Sequence, residues 1–542
     1  MEKDKSPIHS TSISMGVMSE AKQANPVSQE KPAVLMIFGD FGYRSDSAQR
    51  ISTSQWNDFF ESNTFEITCS IEKDLPEYIK PFYLEYTVQS INDFSIENVI
   101  DKTPFLSPFR RAVQITEQHK SSKITRSDAY SLIEKLAIPD TLKTKMFIGL
   151  GLGPTRDTPS SNPHQIDSIL SMMDIQHEPQ QVQHSKTDTF ISAISSQDSI
   201  EPEYDKIFSL FNSILTSTAE AIRKTDRFAE IATSWNSLKS LLKIVGRNQS
   251  VQVYCVSSTR EDAPTLQSNI LSDFPDDQFP DLLLWNYDYS FSTASIQELE
   301  QVSLVAEKYK TILCTSIKMS DKINTELQST QAVRILMEEE EMIPFNRFRN
   351  SAAARSCVLC TTPNYLSELI SNEFGSAAGA WIIASQWVTS IIESATPFQW
   401  PRRIQSVKGF RLTDKIDDSR IEEVGSFGVT ITENCEYLHA VRPVSVLNIS
   451  EESPYRSAGF NMLVNKTARL TVTWVSGAHL ENQDESAAQL TDFLVSNLKS
   501  FNILSDERSL SVEISNNVAT IDFDSQCSID GFGIYFQFSI NL

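Results

Sequence analysis

Positive charge is what this chain has least to spare: 47 Lys and Arg stand against 70 Asp and Glu, a formal net charge of −23. That balance argues against nucleic acid or an anionic membrane as the main partner, because such surfaces reward clustered Lys and Arg. A local basic patch could still face an acidic protein. Cysteine is sparse too. Seven thiols, an odd set scattered from Cys69 to Cys527, fit free thiols in a reducing cytoplasm better than a disulfide framework. Only Cys357 and Cys360 form a CxxC, and with no second pair or nearby His they read as structural rather than as a zinc site.

Other absences narrow the chemistry. No GxxxxGK[ST], HExxH or GxSxG occurs. With seven His, several of them between 151 and 202, acid–base catalysis by imidazole has few places to live. Long hydrophobic runs are missing: the most apolar later segment, GAWIIASQWVTSII (379–392), has 14 residues, includes Gln386 and is too short to span a bilayer. The N-terminal MEKDKSPIHSTSISMG is polar and lacks the apolar core of a secretory signal. No repeat of about 20 to 50 residues is visible, which sets solenoids aside.

What is present is ordinary globular material, 40% hydrophobic and 22% charged over 542 residues. Residues 1–31, rich in Ser, Lys, Glu and Gln, read as a flexible arm. From 32 to 150 strand and helix patterns alternate in a small α/β region that opens on the apolar run 33–38. Pro, Ser, Gln, His and Asp dominate 151–202, a linker. Inside it, over 164–174, Ile166, Ile169, Leu170 and Met173 fall on one face of a short helix that either docks on its own protein or is offered to another.

A larger α/β region follows over 203–504. Its clearest helix carries Phe228, Ile231, Trp235, Leu238, Leu242 and Val245 at steps of three and four. The tail, 505–542, reads as a hairpin with Asn516-Asn517 at the turn, then a last strand with Phe532, Ile534, Phe536, Phe538, Ile540 and Leu542 at every second position. A strand this apolar on one face must pair. The fold class expected is mixed α/β (α+β), two regions joined by a linker.

One carboxylate invites a catalytic reading. Asp40 follows Gly39 at the end of an apolar run, where many hydrolases place such a group. The stretch GDFGYRSDSAQRIS supplies no further Asp, Asn and His ligands at the recognisable spacing a two-metal site needs. Gly39 and Asp40 are therefore read as a structural turn, in which the Asp side chain binds nearby backbone amides. The glycine-rich GLGLGP (149–154) has the wrong spacing for a dinucleotide fingerprint and reads as a domain terminus.

The order of segments resembles a known family. VLMIFGDFGYRSD (34–46), TFEITCSI (64–71), FYLEYTVQSINDFSIENVID (82–101) and PFLSPFRRAVQI (104–115) resemble the small sheath subunit (TssB) of the bacterial type VI secretion system. FNSILTSTAEAIRKTDRFAEIATSWNSLKSLLKIV (211–245), LLLWNYDYSF (282–291), FRNSAAARSCVLCTTPNYL (348–366) and QWPRRIQSVKGFRL (399–412) resemble the large one (TssC). Two positions depart from the family pattern: Asn364 replaces the usual Arg after the proline, and Asn286 stands where Gly is common.

The resemblance implies a natural fusion of both subunits, or a divergent relative with a specialised place in the machine: a structural protein and not an enzyme, with no cofactor and no metal. It implies a cytoplasmic helical homo-oligomer that forms a sheath around an inner tube protein, meets baseplate components and contracts to propel the tube. It involves no nucleic acid and no membrane insertion. In this family terminal strands pass between neighbouring subunits, a role that would fall to Phe532, Ile534, Phe536, Phe538, Ile540 and Leu542, and secondarily to SISMGVM (12–18). An AAA+ recycling ATPase of the ClpV type grips a short helix in the family, and Ile166, Ile169, Leu170 and Met173 would be its anchors here. Two alternatives stand beside the sheath: a baseplate or cap adaptor built from sheath parts, and a metal-dependent phosphohydrolase using Asp40.

Overall fold

The structure is a computed structural model and describes residues 32–152, 202–275, 278–318, 333–361, 379–394, 396–400, 428–434, 438–440, 444–449, 453–477 and 483–541. In chain order the helices are α1 (Trp56–Ser62), α2 (Ile96–Lys102), α3 (Ser107–Lys120), α4 (Arg126–Glu134), α5 (Asp140–Gly149), α6 (Tyr204–Arg223) and α7 (Asp226–Val245). They continue with α8 (Ala263–Asp273), α9 (Thr293–Lys308), α10 (Val333–Met337), α11 (Ile343–Arg349), α12 (Gly379–Ser394), α13 (Ala458–Gly477) and α14 (Gln483–Leu498). Parallel and antiparallel strands accompany them, so the fold is mixed α/β, as the sequence pattern predicts.

The chain divides into two compact units: the described residues of Met1–Glu66, Val88–Ile91 and Ala229–Leu542 in one, those of Ile67–Thr87 and Asn92–Phe228 in the other. The compositional boundaries at 150 and 203 both fall inside the second unit. The first is built on an eight-stranded sheet. In it β1 (Ala33–Gly39) runs parallel to β5 (Val251–Ser257) on one side and β6 (Leu282–Ser290) on the other. Beyond β6 lie β7 (Ile312–Lys318), β8 (Cys357–Thr361) and β9 (Val429–Asn434), all parallel. An antiparallel strand closes each edge, β2 (Gln49–Ile51) on β5 and β10 (Leu438–Ala440) on β9.

Every residue of β1 is buried. A central parallel strand is covered on both faces, so its sequence is apolar throughout rather than alternating. One face of the sheet, with Met36, Phe38, Leu283 and Trp285, packs on Ile270 and Leu271 of α8, Leu299 and Val302 of α9 and Phe345 and Phe348 of α11. The helix α12 lies across β6, β7 and β8. Ser292 starts α9 by accepting the Ser295 N–H at 3.4 Å, an ordinary N-cap. At the amino ends of the strands, the buried Asp281 accepts the Val34 N–H at 3.1 Å through Oδ2, and Oδ1 meets Lys466 Nζ at 2.8 Å and Arg469 Nη2 at 3.3 Å, both from α13.

A three-stranded antiparallel sheet ends the same unit: β11 (Leu510–Ser515), β12 (Val518–Ile529) and β13 (Phe532–Asn541). Asn516 and Asn517 form its two-residue turn at φ of 51° and 59°, the left-handed values that such a hairpin requires and that Asn tolerates.

The second unit holds most of a two-stranded sheet, β3 (Phe65–Ile71) with β4 (Phe82–Val88), and a helical core. Phe109 and Ile115 of α3, Ile133 of α4, Met146 of α5 and Phe211 and Ile214 of α6 meet in that core. A capping box between Thr125 and Asp128 opens α4.

Candidate functional site

The Gly39-Asp40 turn sits at the carboxyl edge of the parallel strands, where open α/β sheets commonly bind ligands. Asp40 Oδ1 accepts the Gly42 N–H at 2.9 Å. Gly42 has φ +87°, and the space a Cβ would need there is filled by the Phe65 ring, so glycine is required twice over. Phe41 is fully buried; its N–H donates to Ser257 Oγ at 3.3 Å and its carbonyl accepts the indole N–H of Trp235 at 2.9 Å. Around Trp235, itself fully buried, the rings of Phe41, Tyr43, Trp56, Phe59, Phe60 and Phe65 stand with centroids 4.0 to 6.2 Å away. Aromatic side chains thus pack closely around the turn that ends β1.

Asn286 of β6 has a definite task. Its Nδ2 donates to Ser234 Oγ at 2.7 Å and its Oδ1 accepts the Trp381 indole N–H at 2.6 Å, which joins α7, β6 and α12. Sequence reasoning missed that bridge, because its three residues come from three separate stretches.

The thiols of the large sheet are governed by burial. Cys357 and Cys360 lie fully buried in β8. Burial pushes the Cys357 thiol up to about 12, and it also raises Cys255 and Cys314. Among the described residues, no three His, Cys, Asp or Glu side chains converge as metal ligands, and no helix is long and apolar enough to cross a membrane. In the second unit, Gly149 ends α5 where a Cβ would strike Ile207 of α6.

The last strand is placed within its own chain. β13 pairs with β12 in the register Ile521↔Phe538 and Phe523↔Phe536. Ile534, Phe536, Phe538 and Ile540 are buried, and Phe536 meets Phe460 of α13 with ring centroids 4.5 Å apart. Phe532 is only half-buried. The outer edge of β13 has no strand partner among the described residues. Leu542, Asn364, SISMGVM and the four anchors Ile166, Ile169, Leu170 and Met173 lie outside the described residues.

Among the solved structures that resemble the chain, two match it over about half of its length. One is the cryo-EM structure of the anti-feeding prophage baseplate, at 9% identity and a TM-score of 0.33, covering 52% of this chain and 71% of that one. The other is the contracted sheath complex of PVC, an extracellular contractile injection system, at 10% identity and a TM-score of 0.34, covering 52% and 70%. No family model and no curated protein matches the chain.

Proposed function

We propose that this chain is a structural subunit of a contractile sheath of the type VI secretion kind, working by polymerising around an inner tube. The observation that supports it most is where the residues carrying the resemblance come together. Gly39, Asp40 and Phe41 from the small-subunit-like stretch pack on Trp235 from the large-subunit-like helix, and β1 shares a sheet with LLLWNYDYSF in β6. In this reading the Gly-Asp-Phe element is a packing device and Asp40 a turn-former. Contraction is the passage of a strained lattice to a better-packed one.

Lattice links in this reading run through strand addition at the free edge of β13. An edge strand leaves a row of backbone donors and acceptors unpaired, and an incoming strand from a neighbour satisfies them. The reading also assigns Ile166, Ile169, Leu170 and Met173 to a recycling ATPase; Leu170→Asp should abolish that binding without preventing assembly.

Negative-stain electron microscopy of the full chain, beside a version truncated after Ser528, tests the proposal. Tubes with a helical repeat that vanish on truncation are expected. Dispersed particles from both proteins would overturn the sheath and favour an adaptor present in few copies.

A further inference from the structure

Among the described residues of this acidic chain, two adjoining hollows are lined by cations without counter-charge. A groove of about 860 Å³ runs beside β2, between the 50–55 and 245–252 stretches, and a smaller hollow of about 220 Å³ shares Thr53 and Ser54 with it. Arg50 and Arg247 line the first; Lys239 and Lys243 line the second. No Asp or Glu lines either among the described residues, although acids outnumber bases 70 to 47 in the chain. None of the four cations makes an ion pair or a side-chain hydrogen bond among the described residues. Lys243 and Arg247 suit the carboxyl end of α7 through its dipole. Arg50, on β2, and Lys239, a turn earlier in α7, are not accounted for that way.

A patch of the opposite sign lies on the same compact unit. Asp522 and Asp524 alternate along β12 and so share the outer face of the three-stranded sheet, where Glu513 of β11 joins them across the pair Glu513↔Thr520. All three are exposed and have no cation partner among the described residues. Partial burial, and after it the Asp524 charge, raises the Asp522 carboxyl; partial burial, and after it the Lys243 charge, lowers Lys239.

We propose that the basic groove receives the acidic outer face of the three-stranded sheet of a second copy of this chain. Contact would place Asp522, Asp524 and Glu513 of one copy against Arg50, Lys239, Lys243 and Arg247 of the next and relieve like-charge repulsion on both sides. The two surfaces differ, so the contact is head-to-tail, and one copy keeps its acidic face and the other its groove for further neighbours. Such a contact closes into a ring or grows as an open helix. It uses side-chain charge, not the edge of β13, and it stands whether or not the assembly is a contractile sheath.

Charge exchange tests it. One full-length variant reverses the groove (Arg50→Glu with Lys243→Glu), the other reverses the face (Asp522→Lys with Asp524→Lys). Sedimentation velocity follows each alone and both mixed, with circular dichroism and melting checked against the parent chain. The parent is expected to self-associate at low salt and to weaken at high salt, as exposed charges become screened. Each variant alone should associate roughly a hundredfold more weakly, and the mixture should regain association, because every reversed surface then meets its complement. Folded variants that associate like the parent, or a mixture that regains nothing, would overturn the proposal. So would a parent chain that stays monomeric at low salt while binding a polyglutamate peptide or an oligonucleotide, which would assign the groove to another molecule. If one variant misfolds, Lys239→Gln with Lys243→Gln, which removes charge without reversing it, repeats the measurement. Tubes that persist in the groove variant would overturn this contact and leave the sheath intact; charge-exchanged association without tubes would do the reverse.

Discussion

An alanine at position 39 would bring its Cβ to 3.0 Å from both Cβ and Nδ2 of Asn286, and to 3.3 Å from a ring carbon of Phe41. Asn286 has little freedom to withdraw, since Ser234 and Trp381 hold its amide from two helices. Gly39→Ala should therefore destabilise the chain by about 1–3 kcal/mol, the usual range for overpacking a filled site. Asn286→Gly should also destabilise, by about 1–3 kcal/mol, because it leaves the Trp381 indole without its acceptor. The two losses should not add. Removing the Asn286 side chain makes the room that the added methyl group needs, so a urea-unfolding cycle should show a coupling of roughly 1 kcal/mol or more; strict additivity would sink the steric account. At this scale the sequence shows where the strand stops, because the apolar run ends at Gly39-Asp40. It does not show why residue 39 is glycine, since the side chain responsible is far along the chain.

Among elements, β1 and the tail differ in how much of them can be read. The tail is local: its turn residues, its period of two and its partner strand lie within one short stretch, so alternation and the Asn-Asn pair are enough to predict a hairpin and a last strand. β1 is non-local. An apolar run says that both faces are covered, yet it names neither neighbour, and its place between β5 and β6 emerges only in three dimensions. The ion group at the strands' amino ends is equally distant in sequence. Asp281 is 4% exposed, while Lys466 and Arg469 are 15% and 18% exposed, so removing the carboxylate takes a shared counter-ion from two largely buried cations, although Arg469 keeps the Pro280 and Lys310 carbonyls. Asp281→Ala should lower stability by about 3–5 kcal/mol. Asp281→Asn should lower it less, because the amide oxygen still accepts a hydrogen bond. Denaturant midpoints for the two variants decide this, and an alanine variant as stable as the parent would mean that water already screens the group.

For the whole molecule, one sheet draws its strands from both sides of the 153–201 stretch. β1 and β2 come from before residue 153, while β5 to β10 come from after residue 201. Composition suggests two regions joined by a linker because composition follows the chain, whereas the sheet is set by which apolar strands can cover each other's edges. A fragment spanning 202–542 would lack β1, leaving β5 and β6 with unpaired inner edges and an apolar slot between them. Exposed edges of that kind aggregate. Cutting the chain within 153–201 should therefore give halves that co-purify when expressed together, whereas the 202–542 fragment alone should be insoluble or associate through its open sheet. Size-exclusion chromatography of the single fragment and of the co-expressed pair distinguishes the outcomes. A soluble, monomeric 202–542 fragment would show that the later strands close their sheet without β1. A tight pair of halves would instead mean that the shared sheet holds the segments together without a continuous chain between them.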